Sequence, residues 1–284
     1  MSNIKLNSFP AQSKNFNANI GITKHAFHIV EASFWPFSVS GGAFFLLFGI
    51  TLAMHSYAIG TLLFQFGLCS VVLFAALWWR DIVREATYGG EHTNIVRSGL
   101  RYGMVLFIVS ELMLFFAFFW AYFHSSVHPT PEIGAVWPPI GIVPLSPWKI
   151  PLLNTTLLLT SGAFLTWSHA ALVYGNRLVA ITGLVFTLIL ALIFTLLQGF
   201  EYVNAPFSIS DGIYGSTFYM LTGLHGLHVI VGTLFLLAML IRVVKHHLTK
   251  NQHVGYESAA WYWHFVDVVW IFLFFAVYIW GEGV

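Results

Sequence analysis

From Met104 to Ser126 the chain reads MVLFIVSELMLFFAFFWAYFHSS, an almost unbroken apolar run with one carboxyl group, Glu111, near its middle. Wound as a helix at about 1.5 Å per residue, this stretch covers roughly 30 Å, the thickness of a bilayer's hydrocarbon core. An ionisable group at mid-depth costs at least about 2.5 kcal/mol unless it is neutral, paired or turned to a protein interior. Glu111 therefore marks a functional group or a packed polar contact. On a helical wheel Met104, Phe107, Ile108, Leu114, Phe115 and Phe118 share its face, which predicts packing against protein or an ordered headgroup. For Glu111 itself, a hydrogen-bonding anchor with the seventh span as partner is favoured over a proton relay, because the nearest intramembrane ionisable group, Asp267, is on another helix and no chain of ionisable groups reaches either surface.

The rest of the chain repeats this choice against water. Hydrophobic residues make up 58% and charged residues 8%, against roughly 25% charged in a soluble domain. The class is all-α and polytopic. Seven spans are predicted: from Pro36 to Tyr57, Gly60 to Trp79, the Glu111 run, Leu152 to Tyr174, Leu178 to Phe200, Ile213 to Val244 and Ser258 to Trp280. A polar arm, residues 1–34, precedes a two-helix hairpin at 35–80; a charged loop at 81–101 follows, and then 102–284. The segment between His124 and Pro151 holds seven of the ten prolines and reads as an ordered surface loop. Ser208 or Ser210 with Asp211 is expected to cap the sixth span.

A net charge of +1 leaves no basic surplus for nucleic acid, and the single cysteine, Cys69, excludes an internal disulfide. No cleaved targeting segment is expected at the N-terminus. All lysines and arginines except Lys149 fall on one side of the predicted spans, so the N-terminus is expected on the charge-retaining side and the C-terminus across the membrane.

Three polar groups invite chemistry. In the sixth span His225 and His228 share a face, and in the seventh His264 and Asp267 do. Facing histidines build haem and metal sites, yet no further carboxylate or cysteine completes a ligand set, so hydrogen bonding between helices is the favoured reading and no metal site is expected. Trp79, Arg84, Glu85 and His92, with Arg242 and His247 at the same depth, form a candidate headgroup site for phospholipid; positive-inside topology alone explains the basic residues equally well. A stand-alone transporter is the competing class for seven spans. Against it, the late spans lack proline interruptions and an odd count resists division into halves.

Long motifs then carry a resemblance. WWRDIVREATYGGEHT from Trp78, FIVSELMLFFAFFWAYFHSS from Phe107, WPPIGI from Trp137, PLLNTTLLLTSGAFLTWSHA from Pro151, FSISDGIYGSTFYMLTGLHGLHVIVGT from Phe207 and HVGYESAAWYWHFVDVVW from His253 stand in family order. The chain resembles the subunit III family of cytochrome c oxidases. His169 is followed by Ala170 where that family has a second histidine, and the polar arm is longer than usual. The resemblance implies seven helices in a two-plus-five arrangement around a lipid-filled V-shaped cleft, with 102–284 as the five-helix bundle. It implies docking on subunit I among the other complex IV subunits. Haem a and copper would lie in partner subunits, with no catalytic or redox group here and bound phospholipids as the only cofactor. The implied work is to stabilise subunit I and support proton uptake in the mitochondrial inner membrane, N-terminus in the matrix and C-terminus in the intermembrane space; a bacterial plasma membrane is the alternative location.

Overall fold

The computed structural model describes residues 26–282. These residues form seven helices long and apolar enough to cross a membrane. They are α1 Trp35–Met54, α2 Ala58–Arg84, α3 Asn94–Val127, α4 Ile150–Tyr174, α5 Arg177–Asn204, α6 Gly212–Val244 and α7 Val254–Leu273. Short π-helical segments extend α2 through Glu85–Gly89 and α7 through Phe274–Ile279. Among the described residues there is no strand. The all-α, seven-span architecture expected from hydropathy is the one that forms. Of the polar arm at 1–34, residues 1–25 lie outside the described residues.

One expected boundary is corrected. The stretch 81–101 is mostly helix, not loop: α2 and its π-helical continuation run to Gly89, α3 begins at Asn94, and only residues 90–93 connect them. Charges that suggest solvation instead stabilise helix ends. Arg80 and Arg84 approach Asp81 at 2.9 and 3.5 Å, and the Trp35 indole donates to Asp81 at 2.7 Å. Thr93 caps α3 by accepting from the Val96 N–H. The helices thus run past the hydrocarbon and into the polar zone. The expected cap of α6 also differs, since Asp211 accepts from the Ser208 N–H at 2.7 Å and leaves the first turn of its own helix without a side-chain cap.

Helix association follows membrane rules, in which close backbone approach and hydrogen bonds do what the hydrophobic effect does in water. The residues buried in α1 and α2 are Gly42 and Gly49 on one and Gly60 and Gly67 on the other. Each pair is seven apart, so both glycines face the same seam. A Cβ at Gly49 would lie 2.7 Å from the Phe64 Cα, and one at Gly60 would lie 2.7 Å from the Ala53 Cα. Nothing larger fits.

Helix α7 is the centre of the remaining packing: 56% of its apolar window is buried, against 6% for α3. It packs on α3, α4 and α6, and α5 fills in between α4 and α6. Tyr256, Trp263 and Trp270, again seven apart, donate to the hydroxyls of Ser168, Ser161 and Thr155 on α4 at 2.7, 2.9 and 2.9 Å. The antiparallel order lets three aromatic donors find three small acceptors along one seam. At the end of α4, Gly175 takes φ +88° and closes the helix. Arg177 then donates to the Val243 carbonyl in the last turn of α6 at 2.8 Å and to the Leu248 carbonyl just beyond that helix at 3.2 Å. The outward faces carry exposed apolar side chains such as Leu106, Phe116, Leu196 and Phe272.

Candidate functional site

Glu111, on α3, meets His228 on α6, with Oε2 2.8 Å from Nε2. The other ring nitrogen decides the protonation of the pair. His228 Nδ1 lies 2.7 Å from the Leu224 carbonyl oxygen, which only accepts, so Nδ1 carries a hydrogen. A neutral ring then presents a bare lone pair at Nε2, and an ionised carboxylate would present another. One proton therefore sits between Oε2 and Nε2, and the pair is neutral overall whichever group holds it. Phe115 and Tyr262 enclose it, with ring centroids 4.9 and 6.2 Å from that of His228.

The expected anchoring partner for Glu111 was the seventh span; this is corrected, since the bond goes to the sixth. Helix α3 packs against both α6 and α7, and a wheel drawn for one helix does not say which neighbour supplies the group. Asp267 turns toward α4 instead. Its carboxylate occupies the gap left by Gly162, where any Cβ would overlap it. His264 Nδ1 stands 3.4 Å from Asp267 Oδ2, and His264 Nε2 stands 3.2 Å from the Thr166 hydroxyl on α4. The pair lies within α7 and links it to α4. His225 donates through Nε2 to the Val266 carbonyl of α7 at 3.2 Å, and its ring lies against Trp270 and Phe194.

A second polar interior, absent from the sequence reading, lies toward the end of α5. Glu201 is 3% exposed; its Oε1 accepts from the Tyr278 hydroxyl at 2.6 Å and from Gln198 at 3.3 Å. Gln198 in turn accepts from Asn154 on α4 at 3.4 Å. Tyr278 belongs to the π-helical segment of α7. The signal was available as Gln198 and Glu201, three apart in an apolar run. The cluster of His169, His253 and Glu257, whose ligating atoms lie within 4.8 Å of one another, was likewise missed because it joins two helices distant in sequence.

The charged ends bring together part of the candidate headgroup set. The charges of Glu85, Arg242 and Arg97 act on His92, whose pKa is lowered chiefly by burial. The Tyr88 hydroxyl is 3.4 Å from His247 Nε2, and the His247 pKa is likewise lowered by burial and by Arg242 and Lys245. Arg242 lies against Gly255, where a Cβ would be 2.7 Å from Nη1, and its buried Nε has no partner among the described residues. Trp79 and Arg84 are exposed, and Arg84 turns back to Asp81 on its own helix. They are not joined to Arg242 by any contact among the described residues. Two other basic residues are engaged: Arg101 grips Glu257 at 2.7 and 3.1 Å, and Arg97 donates to the Asn251 carbonyl and to Asn94.

Seven apolar helices, several of them joined by buried hydrogen-bonded groups, define an integral membrane protein in which His225, His228 and His264 link one helix to another. Comparison with known proteins narrows this. The family described as cytochrome c oxidase subunit III matches residues 25–282. The cytochrome c oxidase subunit 3 of Prototheca wickerhamii is 58% identical over 258 residues, covering 91% of this chain and 98% of that protein. Those of Arabidopsis thaliana and Loxodonta africana are 56% and 52% identical, each over 91% of this chain and over 97% and 98% of their own lengths. The chain belongs to the cytochrome c oxidase subunit III family.

Proposed function

We propose that this chain is a core subunit of cytochrome c oxidase, the enzyme that moves electrons from cytochrome c to oxygen while translocating protons. It assembles with the other subunits of that enzyme and docks on subunit I. The observation that carries the reading is the family match across residues 25–282, with nearly full-length coverage of the relatives. Its own work is structural: it keeps subunit I intact during turnover, supports proton uptake and holds phospholipids. It sits in the mitochondrial inner membrane, with the N-terminal arm in the matrix and the C-terminus in the intermembrane space. Arg101, Arg177 and Arg242 standing at one end and Lys149 at the other supports that orientation.

Two further features fit the role. The α1–α2 seam is complete in itself, while α3 to α7 pack among themselves, which supports a two-plus-five division with a lipid-filled cleft between the parts. The redox chemistry belongs to haem a and copper in partner subunits. In support, the ring nitrogens of His228 and Nε2 of His225 are engaged in hydrogen bonds within the chain. Glu111 and His228 act as an anchor between α3 and α6.

The test is purification of the oxidase with and without this chain. Without it, electron transfer should persist while the enzyme inactivates sooner under turnover and retains less phospholipid. An enzyme of unchanged lifetime and lipid content would refute the structural role, and failure of a tagged chain to co-purify with the oxidase would refute the assembly.

A further inference from the structure

Where α4 ends and α7 begins, three groups from distant parts of the chain converge. His169 on α4 has its Nε2 buried and without a partner among the described residues. Its ring stacks on Tyr256, centroids 5.4 Å apart at 18°, and lies 5.4 Å from the His253 ring. His253 places Nε2 3.3 Å from Glu257 Oε1. Its Nδ1 is 3.1 Å from the Thr249 carbonyl oxygen, an acceptor only, so Nδ1 must be the hydrogen-bearing nitrogen. In a neutral ring Nε2 then turns a lone pair on a carboxylate oxygen. Something positive belongs between them. A second proton on His253 would answer that contact, but it would leave the buried His169 nitrogen unsatisfied.

We propose that His169, His253 and Glu257 form a divalent-cation site of two histidines and one carboxylate, suited to Zn2+. The three ligating atoms lie within 4.8 Å of one another. Bonds of about 2.0–2.2 Å around a tetrahedral ion set donors roughly 3.3–3.6 Å apart, so the rings close by about 1 Å as the ion enters, and water takes the fourth position. Supporting contacts stand behind the ligands. The Thr249 carbonyl holds the His253 tautomer, and Arg101, from α3, fixes the Glu257 carboxylate by donating to Oε2 at 2.7 Å and to Oε1 at 3.1 Å, so that the ion would take the second lone pair of Oε1. The ion is redox-inert and would clamp α4 to α7, with α3 attached through Arg101. This departs from the expectation of no metal in the chain.

The experiment uses the intact oxidase stripped in metal-free buffer and loaded with Cd2+ as the probe. Because other subunits bind metals of their own, the readout is a difference: wild type should hold one equivalent more than His169→Gln or His253→Gln. Equal counts in assembled variants would overturn the site. If neither variant assembles, the wild-type crystal decides. A Cd2+ anomalous peak among His169, His253 and Glu257 supports the proposal, and no peak there at saturating Cd2+ overturns it.

Discussion

Replacing Glu111 tests the shared proton directly. Its Oε2 faces His228 Nε2 at 2.8 Å, while Nδ1 is held as a donor by the Leu224 carbonyl. Glutamine at this position donates an amide N–H to the bare Nε2, so the contact survives with no net charge. Alanine leaves that nitrogen without a partner in an apolar setting, with His228 only 7% exposed. An unmade buried hydrogen bond costs about 1–3 kcal/mol, and interhelical bonds in bilayers average ~0.6 with a ceiling near ~1.7 kcal/mol. We take about 1–2 kcal/mol, a five- to thirty-fold shift in the balance between docked and undocked α3. Leucine should behave like alanine, since it too removes the acceptor's partner. Replacing both residues, Glu111→Leu with His228→Leu, should recover much of the loss, because no polar group is then stranded. The assay is chain retention in the oxidase through graded detergent washing, with protons pumped per electron measured on the same preparations. Glu111→Gln should keep both. A Gln variant that is retained normally but stops pumping would refute the anchor and make the shared proton part of a relay.

Other outcomes follow from single distances. Gly49→Ala and Gly60→Ala each force the α1–α2 seam apart and should lower the thermal stability of the hairpin, whereas Gly41→Ala, with nothing within 4 Å of its added carbon, should not; equal effects in a thermal unfolding scan would refute the seam. Trp263→Phe removes the donor to Ser161 but keeps the ring against Gly232, so it should cost about 1 kcal/mol of stability, and Ser161→Ala should cost no more on top of it. Arg242→Ala should lower the phospholipid counted per washed complex by mass spectrometry, and Arg84→Ala should lower it less because Arg84 is tied to Asp81; identical losses would restore the symmetrical site expected from sequence.

Hydropathy made the number of helices legible because every span must satisfy its backbone internally, and that demand writes a long apolar run for each one. Their ends were less legible. Arg80, Asp81 and Arg84 look like loop residues in composition, yet spaced along α2 they pair with one another and prolong it. Pairing between helices was least legible of all. Glu111 announces itself in the sequence, but His228 stands 117 positions away, and nothing local distinguishes it as partner from Asp267. The glycine seam was readable in principle from the seven-residue spacing within each helix, Gly42 with Gly49 and Gly60 with Gly67. The Glu201 network required the π-helical segment, which turns Tyr278 toward α5 and leaves no signature in hydropathy.

The interior polar groups share one logic. Lipid drives helices together no better than it solvates them, so a bundle must be specified by contacts that cost energy when unmade. Glycine seams do this by geometry, since only one register lets backbones approach closely. The aromatic ladder of α7 does it by hydrogen bonds: shifting Tyr256, Trp263 and Trp270 by one residue against α4 would strand three donors at once. Glu111 with His228 does it by a shared proton, because separating them leaves a carboxyl group and an imidazole without hydrogen-bond partners in hydrocarbon. Each device penalises the wrong arrangement more than it rewards the right one. A subunit that must hold its shape beside a working partner needs that bias, and here it comes from a few residues on the inner faces while the outer faces remain free to meet lipid or protein.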